Sequence, residues 1–264
     1  MGAKLVVDQS TGEDLTHLYS LRSRKQDEAY KKMQKRGKDT RHFSLTHMKH
    51  IREVTSELSN TYCGYVVMLQ PYIEYETNVI LDGKKEPAKR AALAKILKVS
   101  PRTVKAVVTE LKDKEIIYEE DGRFTVNARY HLRGKAGAET QSMIKTFFST
   151  VKCLDVKAAD LGFVYKLLPN VHLETNMICN DPFCTTGEIR FLNEKQIGEL
   201  VGMSEKKARE TLTRLRKAGV VGVWHRAKDS REKLTVLNPY IFYRKSGQPD
   251  GTLDALFTSK SYVG

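Results

Sequence analysis

Cysteine, proline and tryptophan are scarce in this sequence, with four Cys, seven Pro and one Trp among 264 residues. Four thiols (Cys63, Cys153, Cys179 and Cys184) are too few to staple a chain of this length, so a secreted disulfide scaffold is excluded and reduced thiols are expected. No apolar run approaches the roughly 18 residues that a membrane-spanning helix needs. Met1 to Ser10 also lacks the apolar stretch and small-residue site of a secretory leader. The expectation is a cytoplasmic protein with no membrane partner. Phosphate-loop, dinucleotide-fold, zinc-protease and nucleophile-elbow patterns are missing as well, and Asp82-Gly83-Lys84-Lys85 lacks the first glycine of a phosphate loop. With no positioned nucleophile, base or metal cluster in view, neither an enzyme nor a cofactor is expected.

What the chain has in excess is positive charge: 45 Lys and Arg against 32 Asp and Glu, a formal +13. An anionic partner follows as the leading expectation. Residues 22–52 hold eleven basic residues against Asp27, Glu28 and Asp39, a local +8 with few apolar residues before Phe43. Such a polar arm either lies along phosphates or is a solvated, partly helical segment. In both cases it attracts nucleic acid without specifying sequence.

An internal repeat organises the rest. Residues 64–80 (GYVVMLQPYIEYETNVI) align without gaps on 162–178 (GFVYKLLPNVHLETNMI), with 8 of 17 positions identical at an offset of 98. Residues 93–117 match 197–221 as a pattern at an offset of 104, which puts a six-residue insertion between about 180 and 191 in the second copy. Two diverged copies of one domain are implied, joined near residues 134–138.

Within the second copy, Ile197, Leu200 and Val201 mark one face of a helix over residues 191–201. Gly202 breaks it, and Ser204 is placed to cap a second amphipathic helix with Ala208, Leu212 and Leu215 inside. Residues 220–224 and 233–237 then read as paired strands. The first copy repeats the order, with a helix at 93–97, a turn at Lys98-Val99 and a helix from Ser100. Its strands at 116–118 and 124–126 join through Asp121-Gly122, a favoured hairpin turn. Helix, turn, helix and hairpin make a winged helix-turn-helix. The expected fold is therefore mostly α with small β-hairpins (α+β), built as two tandem, internally duplicated winged helix-turn-helix domains. The divisions are a basic arm at 1–42, a first domain at 43–134, a second at 139–245 and a tail at 246–264. Residues 253–257 are expected to form a short docking helix.

In this motif the second helix enters the major groove. The segment 204–217 carries a net +4, its first-copy equivalent 100–113 a net +1, and the hairpin tips differ further, +2 at 224–233 against −2 at 118–126. An acidic tip opposes docking beside phosphates, so the second copy is expected to be the principal DNA reader while the first assists or contacts protein. The residues assigned to DNA are Ser204, Lys206, Lys207, Arg209, Thr213, Arg214 and Lys217 on the helix, with Arg226, Lys228, Arg231 and Lys233 on the hairpin. Arg102 and Lys105 assist from the first copy. Lys206 or Arg209 suits guanine edges, and Arg226 and Arg231 suit phosphates.

Two features have plainer readings. The Glu-Thr-Asn triplets, 76–78 and 174–176, cap or turn the chain as scaffold, and residues 74–80 look extended. Cys179 and Cys184 with Cys153 and His172 have part of a zinc pattern but lack a second tight pair, which favours ordinary thiols.

Residues 236–245 (VLNPYIFYRK), directly after the second hairpin, resemble the Asn-Pro segment that closes RepL-type plasmid replication proteins of Gram-positive bacteria, over roughly 187–247. The tandem arrangement is similar to that of two-winged-helix plasmid initiators, and the duplication and the basic N-terminal arm set this chain apart from the RepL-type proteins. The resemblance implies an origin-binding replication initiator of a plasmid or phage, with double-stranded DNA, a second copy in a homodimer, and a replicative helicase or its loader as partners. A transcriptional regulator of a mobile element would use the same fold on an operator, and an architectural protein would bridge DNA with little sequence preference.

Overall fold

Residues 64–69 and 162–167, apolar runs in which periodicity does not separate strand from helix, are both helical. The structure is a computed structural model that describes residues 7–16, 40–137, 139–226 and 229–258, with the backbone alone at 226 and 229–232. The first copy runs β1 (Phe43–His47), α1 (Ile51–Thr55), α2 (Asn60–Leu69), α3 (Arg90–Leu97), α4 (Pro101–Asp113), β2 (Ile117–Glu120), β3 (Arg123–Val126) and β4 (His131–Leu132). The second runs β5 (Met143–Phe147), α5 (Phe148–Cys153), α6 (Ala158–Leu167), α7 (Glu194–Leu200), α8 (Glu205–Lys217), β6 (Val221–Arg226), β7 (Asp229–Leu237) and β8 (Phe242–Tyr243), followed by α9 (Gly251–Thr258). Nine helices and small antiparallel sheets among the described residues make this an α+β protein.

The chain divides into two units, residues 1–39 with 246–248 and residues 40–245 with 249–264. In the first, Val7 bridges Asp14 across a turn in which the Asp8 carboxylate accepts from the amides of Ser10 and Thr11. Both copies of the repeat lie in the second unit. Of the basic segment, Arg22 to Lys38 lies outside the described residues. Arg41, Lys49 and Arg52 belong to the second unit, Arg41 over the rings of Phe147 and Tyr240 and Arg52 donating to the Pro169 carbonyl.

An internal pseudo-twofold relates the copies. The four-stranded sheet has the order β4-β1-β5-β8, so each copy contributes one inner and one outer strand. β1 pairs antiparallel with β5 about Leu45↔Lys145, and the outer pairs Thr46↔His131 and Thr146↔Phe242 correspond. Beneath the sheet α2 packs on α6. A Cβ at Gly64 would stand 1.8 Å from the carbonyl oxygen of Ala158, and one at Gly162 would stand 1.6 Å from that of Asn60. These contacts exchange when the copies exchange, as a twofold contact must. Both helices are apolar nearly all round because both are buried on most sides.

The Glu-Thr-Asn triplets hold each copy together. Residues 74–80 are a turn rather than a plain extended stretch, with Asn78 and Asn176 in the left-handed region at φ 58° and 55°. Asparagine tolerates that conformation and still offers a side-chain amide. Asn78 Nδ2 donates to the carbonyls of Val126 and His131, and Asn176 Nδ2 donates to those of Leu237 and Phe242. Arg133 then reaches the Ile73 carbonyl at 2.9 Å, and Arg244 the equivalent Val171 carbonyl at 2.6 Å. The scaffold reading of the triplet is thereby given a geometry: one amide ties the turn to the hairpin and to the outer strand.

The helix pairs form where periodicity places them, with two corrections, the first being that α3 begins at Arg90 rather than at residue 93. The helix expected over 191–201 begins at Glu194, because Asn193 and Gln196 form a reciprocal capping box at its start. Ser100 and Ser204 cap α4 and α8 through the amides of Thr103 and Lys207. The preceding turn needs a left-handed residue, supplied by Gly202 in the second copy and by Lys98, at φ 56°, in the first. The expected docking helix docks on this chain: Leu253, Leu256 and Phe257 pack with Leu234 and Val236 of β7, and Tyr240 hydrogen-bonds Asp254.

The buried His131 has no polar twin. His131 Nδ1 lies 3.0 Å from Thr46 Oγ1 and its Nε2 2.9 Å from the Tyr165 hydroxyl, whereas the second copy has Phe242 at the matching position. Burial pulls the His131 pKa down to about 3.

Two measurements check this frame. Gly162→Ala should destabilise the protein by about 3 kcal/mol or more in urea unfolding, because α2 and α6 must separate, while Gly187→Ala, with open space around it, should be near neutral. Between pH 6.5 and about 3 the unfolded chain protonates His131 while the folded chain does not, so stability falls as pH falls. The expected slope approaches about 1.4 kcal/mol per pH unit, and a His131→Gln variant should lose that increment.

Candidate nucleic-acid interface

Helix α8 is amphipathic by its spacing: Ala208, Thr211, Leu212 and Leu215 are buried, while Lys206, Lys207, Arg209, Glu210, Thr213, Arg214 and Lys217 are exposed. The expected inner and outer faces are thus the observed ones, with Thr211 added to the inner face. The cations on the outer face are held differently. Lys206, Lys207 and Lys217 make no ion pair among the described residues. Arg209 is paired, with Glu205 one turn back at 2.6 Å and with Glu194 of α7 at 3.3 Å, yet its side chain is 61% exposed. Exposed pairs of this kind contribute little, so Arg209 can exchange its carboxylates for a phosphate or a base edge.

Arg214 is placed otherwise. Its Nε and Nη2 donate to both carboxylate oxygens of Asp160, at 2.8 and 2.7 Å, and Nη2 also reaches Thr211. Asp160 is buried in the first turn of α6, so this fork fastens α8 to the helix at the pseudo-twofold. Hydrogen bonding to Asp160 raises the Arg214 pKa. Ser204 is occupied as a helix cap, and the Thr213 hydroxyl donates back to the Arg209 carbonyl at 2.8 Å. Of the hairpin residues, Lys233 is exposed on β7, Arg226 and Arg231 lie in strands described by backbone only, and Lys228 lies outside the described residues. The hairpin itself is longer than its counterpart, with Trp224 on it partly exposed.

In the first copy, Arg102 and Lys105 are exposed at the start of α4 without ion pairs among the described residues. Its hairpin acid Glu119 is clamped by Lys112 at 2.9 Å and Arg90 at 3.0 Å, and the Lys112 hydrogen bond, helped by Arg90, holds its carboxyl below the usual range. Arg90 and Lys112 occupy the positions of Glu194 and Arg216. In the second copy the acid is Glu194 on the helix, bridging Arg209 and Arg216. Although the acid sits beside it, α8 has the richer cationic face because its own sequence carries six Lys and Arg from Ser204 to Lys217. Asp160, Glu194 and Arg216 were not among the expected residues. Their sequence signal is a charge at a helix start or end, and their partners are 15 or more residues away.

Cys63 and Cys153 lie on separate helices, while Cys179 and Cys184 are neighbours in one loop. Cys153 is exposed at the end of α5, Cys63 is buried in α2, and burial pushes the Cys63 and Cys179 thiols up to about 12. The Cys179 and Cys184 thiols both donate to the Asp181 carbonyl, and His172 Nε2 lies 3.2 Å from the Cys184 carbonyl. Among the described residues no three His, Cys, Asp or Glu side chains are grouped to hold a metal ion, and no helix is long and apolar enough to cross a membrane. In comparisons with known proteins, no family model, curated protein or solved structure matches this chain.

The two kinds of cation separate by unfolding. Arg214→Ala should cost about 1–2 kcal/mol, since it leaves Asp160 without its fork, whereas Lys206→Ala and Lys207→Ala should each stay within about 0.5 kcal/mol of the parent in urea titrations.

Proposed function

We infer that this chain is a sequence-specific double-stranded DNA-binding protein made of two winged helix-turn-helix units, and that the second unit is its principal reader. The observation that carries the reading is α8: a capped helix in a helix-turn-helix-hairpin order, with Lys206, Lys207, Arg209 and Lys217 together on its exposed face. The same order recurs in the first copy with fewer cations and an acidic hairpin tip, so phosphate attraction is stronger on the second copy. Because the copies share one unit about a pseudo-twofold, a single chain offers DNA two reading helices in fixed relation. Arg214 serves as a brace for α8 rather than as a reader.

The biological role that fits best is an origin-binding initiator of a plasmid or phage. Its support is the tandem arrangement and the resemblance of residues 236–245. In the structure that segment is a working part of the scaffold. Asn238 Nδ2 donates to the Gly219 carbonyl as Asn127 Nδ2 donates to that of Glu115, so each copy closes with the same turn.

Selection of duplexes from a random pool at physiological salt tests the reading. A recovered motif is expected, and its position beside an AT-rich stretch or across a promoter in the source replicon separates initiator from regulator. Lys206→Ala/Arg209→Ala should weaken binding to the selected duplex by about 2–4 kcal/mol and reduce the salt slope, with a smaller loss for Arg102→Ala/Lys105→Ala. Equal losses from the two pairs would overturn the asymmetry, and binding without any enrichment would favour an architectural protein.

A further inference from the structure

The pseudo-twofold creates a groove twice. In each case the end of the central helix and the first helix of one copy's helix-turn-helix face the short helix of the other copy. The groove on the second copy, about 650 Å³, lies against Arg52, Lys166, Glu199 and Leu200. Its twin on the first copy, about 210 Å³, has Lys152, Met68, Lys95 and Ile96 at the equivalent positions. The shape has been duplicated and the charge has not. Lys95, Lys98, Lys152 and Lys157 rim the first-copy groove against the single acid Asp155. All four are exposed, and none is in an ion pair among the described residues. Lys152 stands 4.6 Å from the ring centre of Tyr72, which it covers.

Between the lysines the floor is apolar. Tyr72, Ile96, Leu154 and Val156 are half-buried there, so each keeps a face that water contacts. A phosphate backbone has nothing to place on such a floor. Neither Arg102 nor Lys105 lines the groove, so it is separate from the face of α4 that would meet DNA. A ligand that satisfies both rim and floor carries carboxylates spaced around large apolar side chains.

We propose that the groove between α3 and the α5–α6 turn is a docking site for an acidic, amphipathic peptide segment of a partner protein. The lysine rim draws and orients the carboxylates, and the floor takes the apolar side chains between them. The second-copy groove, with Glu199 in place of Lys95 and Gly202 in place of Lys98, lacks this rim and does not share the specificity. The site stands independently of the DNA-reading face.

The test is selection of random peptides displayed on phage against the immobilised full-length chain at physiological salt. Enriched peptides should interleave Asp or Glu with Leu, Ile or Phe. A fluorescent synthetic copy of the commonest should bind Lys95→Glu/Lys98→Glu at least about ten-fold more weakly than the parent. Lys152→Glu/Lys157→Glu, on the opposite wall, should give a similar loss and covers the case in which the first variant misfolds. Lys206→Ala/Arg209→Ala should keep full peptide affinity. The proposal is overturned if no acidic motif is enriched, if both rim variants bind as the parent does, or if an all-glutamate peptide of equal charge binds as tightly. It is also overturned if the rim variants lose affinity for duplex DNA as far as Lys206→Ala/Arg209→Ala, which would make the groove a nucleic-acid contact.

Discussion

Where α2 crosses α6, backbone meets backbone: Gly64 lies against the Ala158 carbonyl and Gly162 against that of Asn60, with no room for even one carbon on either side. Everything else in the second unit is arranged about this contact. It sets the distance between the copies, and the pairing of β1 with β5 above it sets their rotation. Each helix pair then hangs from its own central helix, α8 through the Asp160–Arg214 fork among other contacts. A change at the crossing therefore acts on both candidate reading helices at once. Close packing leaves no soft intermediate in which one copy shifts and the other does not.

About this frame the copies have diverged by type of interaction. Groups that satisfy backbone polar atoms are kept: Asn78 and Asn176, Arg133 and Arg244, Asn127 and Asn238 donate to equivalent backbone carbonyls in both. Losing one would strand buried carbonyls, which costs more than a typical hydrogen bond adds. Surface charges are freely exchanged, since exposed pairs contribute little. Arg90 stands for Glu194 and Lys95 for Glu199. Divergence thus falls on the exposed surface, and gives one copy a cationic helix and the other a cationic groove.

Particular elements show how far the sequence could be read. The offset of 98 between the Gly64 and Gly162 segments revealed the duplication, and the spacing of Ala208, Leu212 and Leu215 gave the buried face of α8, because both signals are local. The start of α7 was placed three residues early, since Phe191 continues the apolar pattern and only the capping box at Asn193 ends it. The triplet at Asn78 was legible as scaffold but its bonds were not. They join residues 48 or more apart. Arg214 read as one more exposed cation because its partner lies 54 residues upstream.

By itself, then, the sequence determined the duplicated order of elements, the amphipathic faces and the uneven distribution of charge, all properties of short segments with a fixed period. Only the tertiary structure decided that the two copies form one unit about a twofold and which cations are braced and which stand ready. The same holds for the paired grooves. These depend on which distant backbones can approach, and glycine at a helix crossing states that permission without naming the partner.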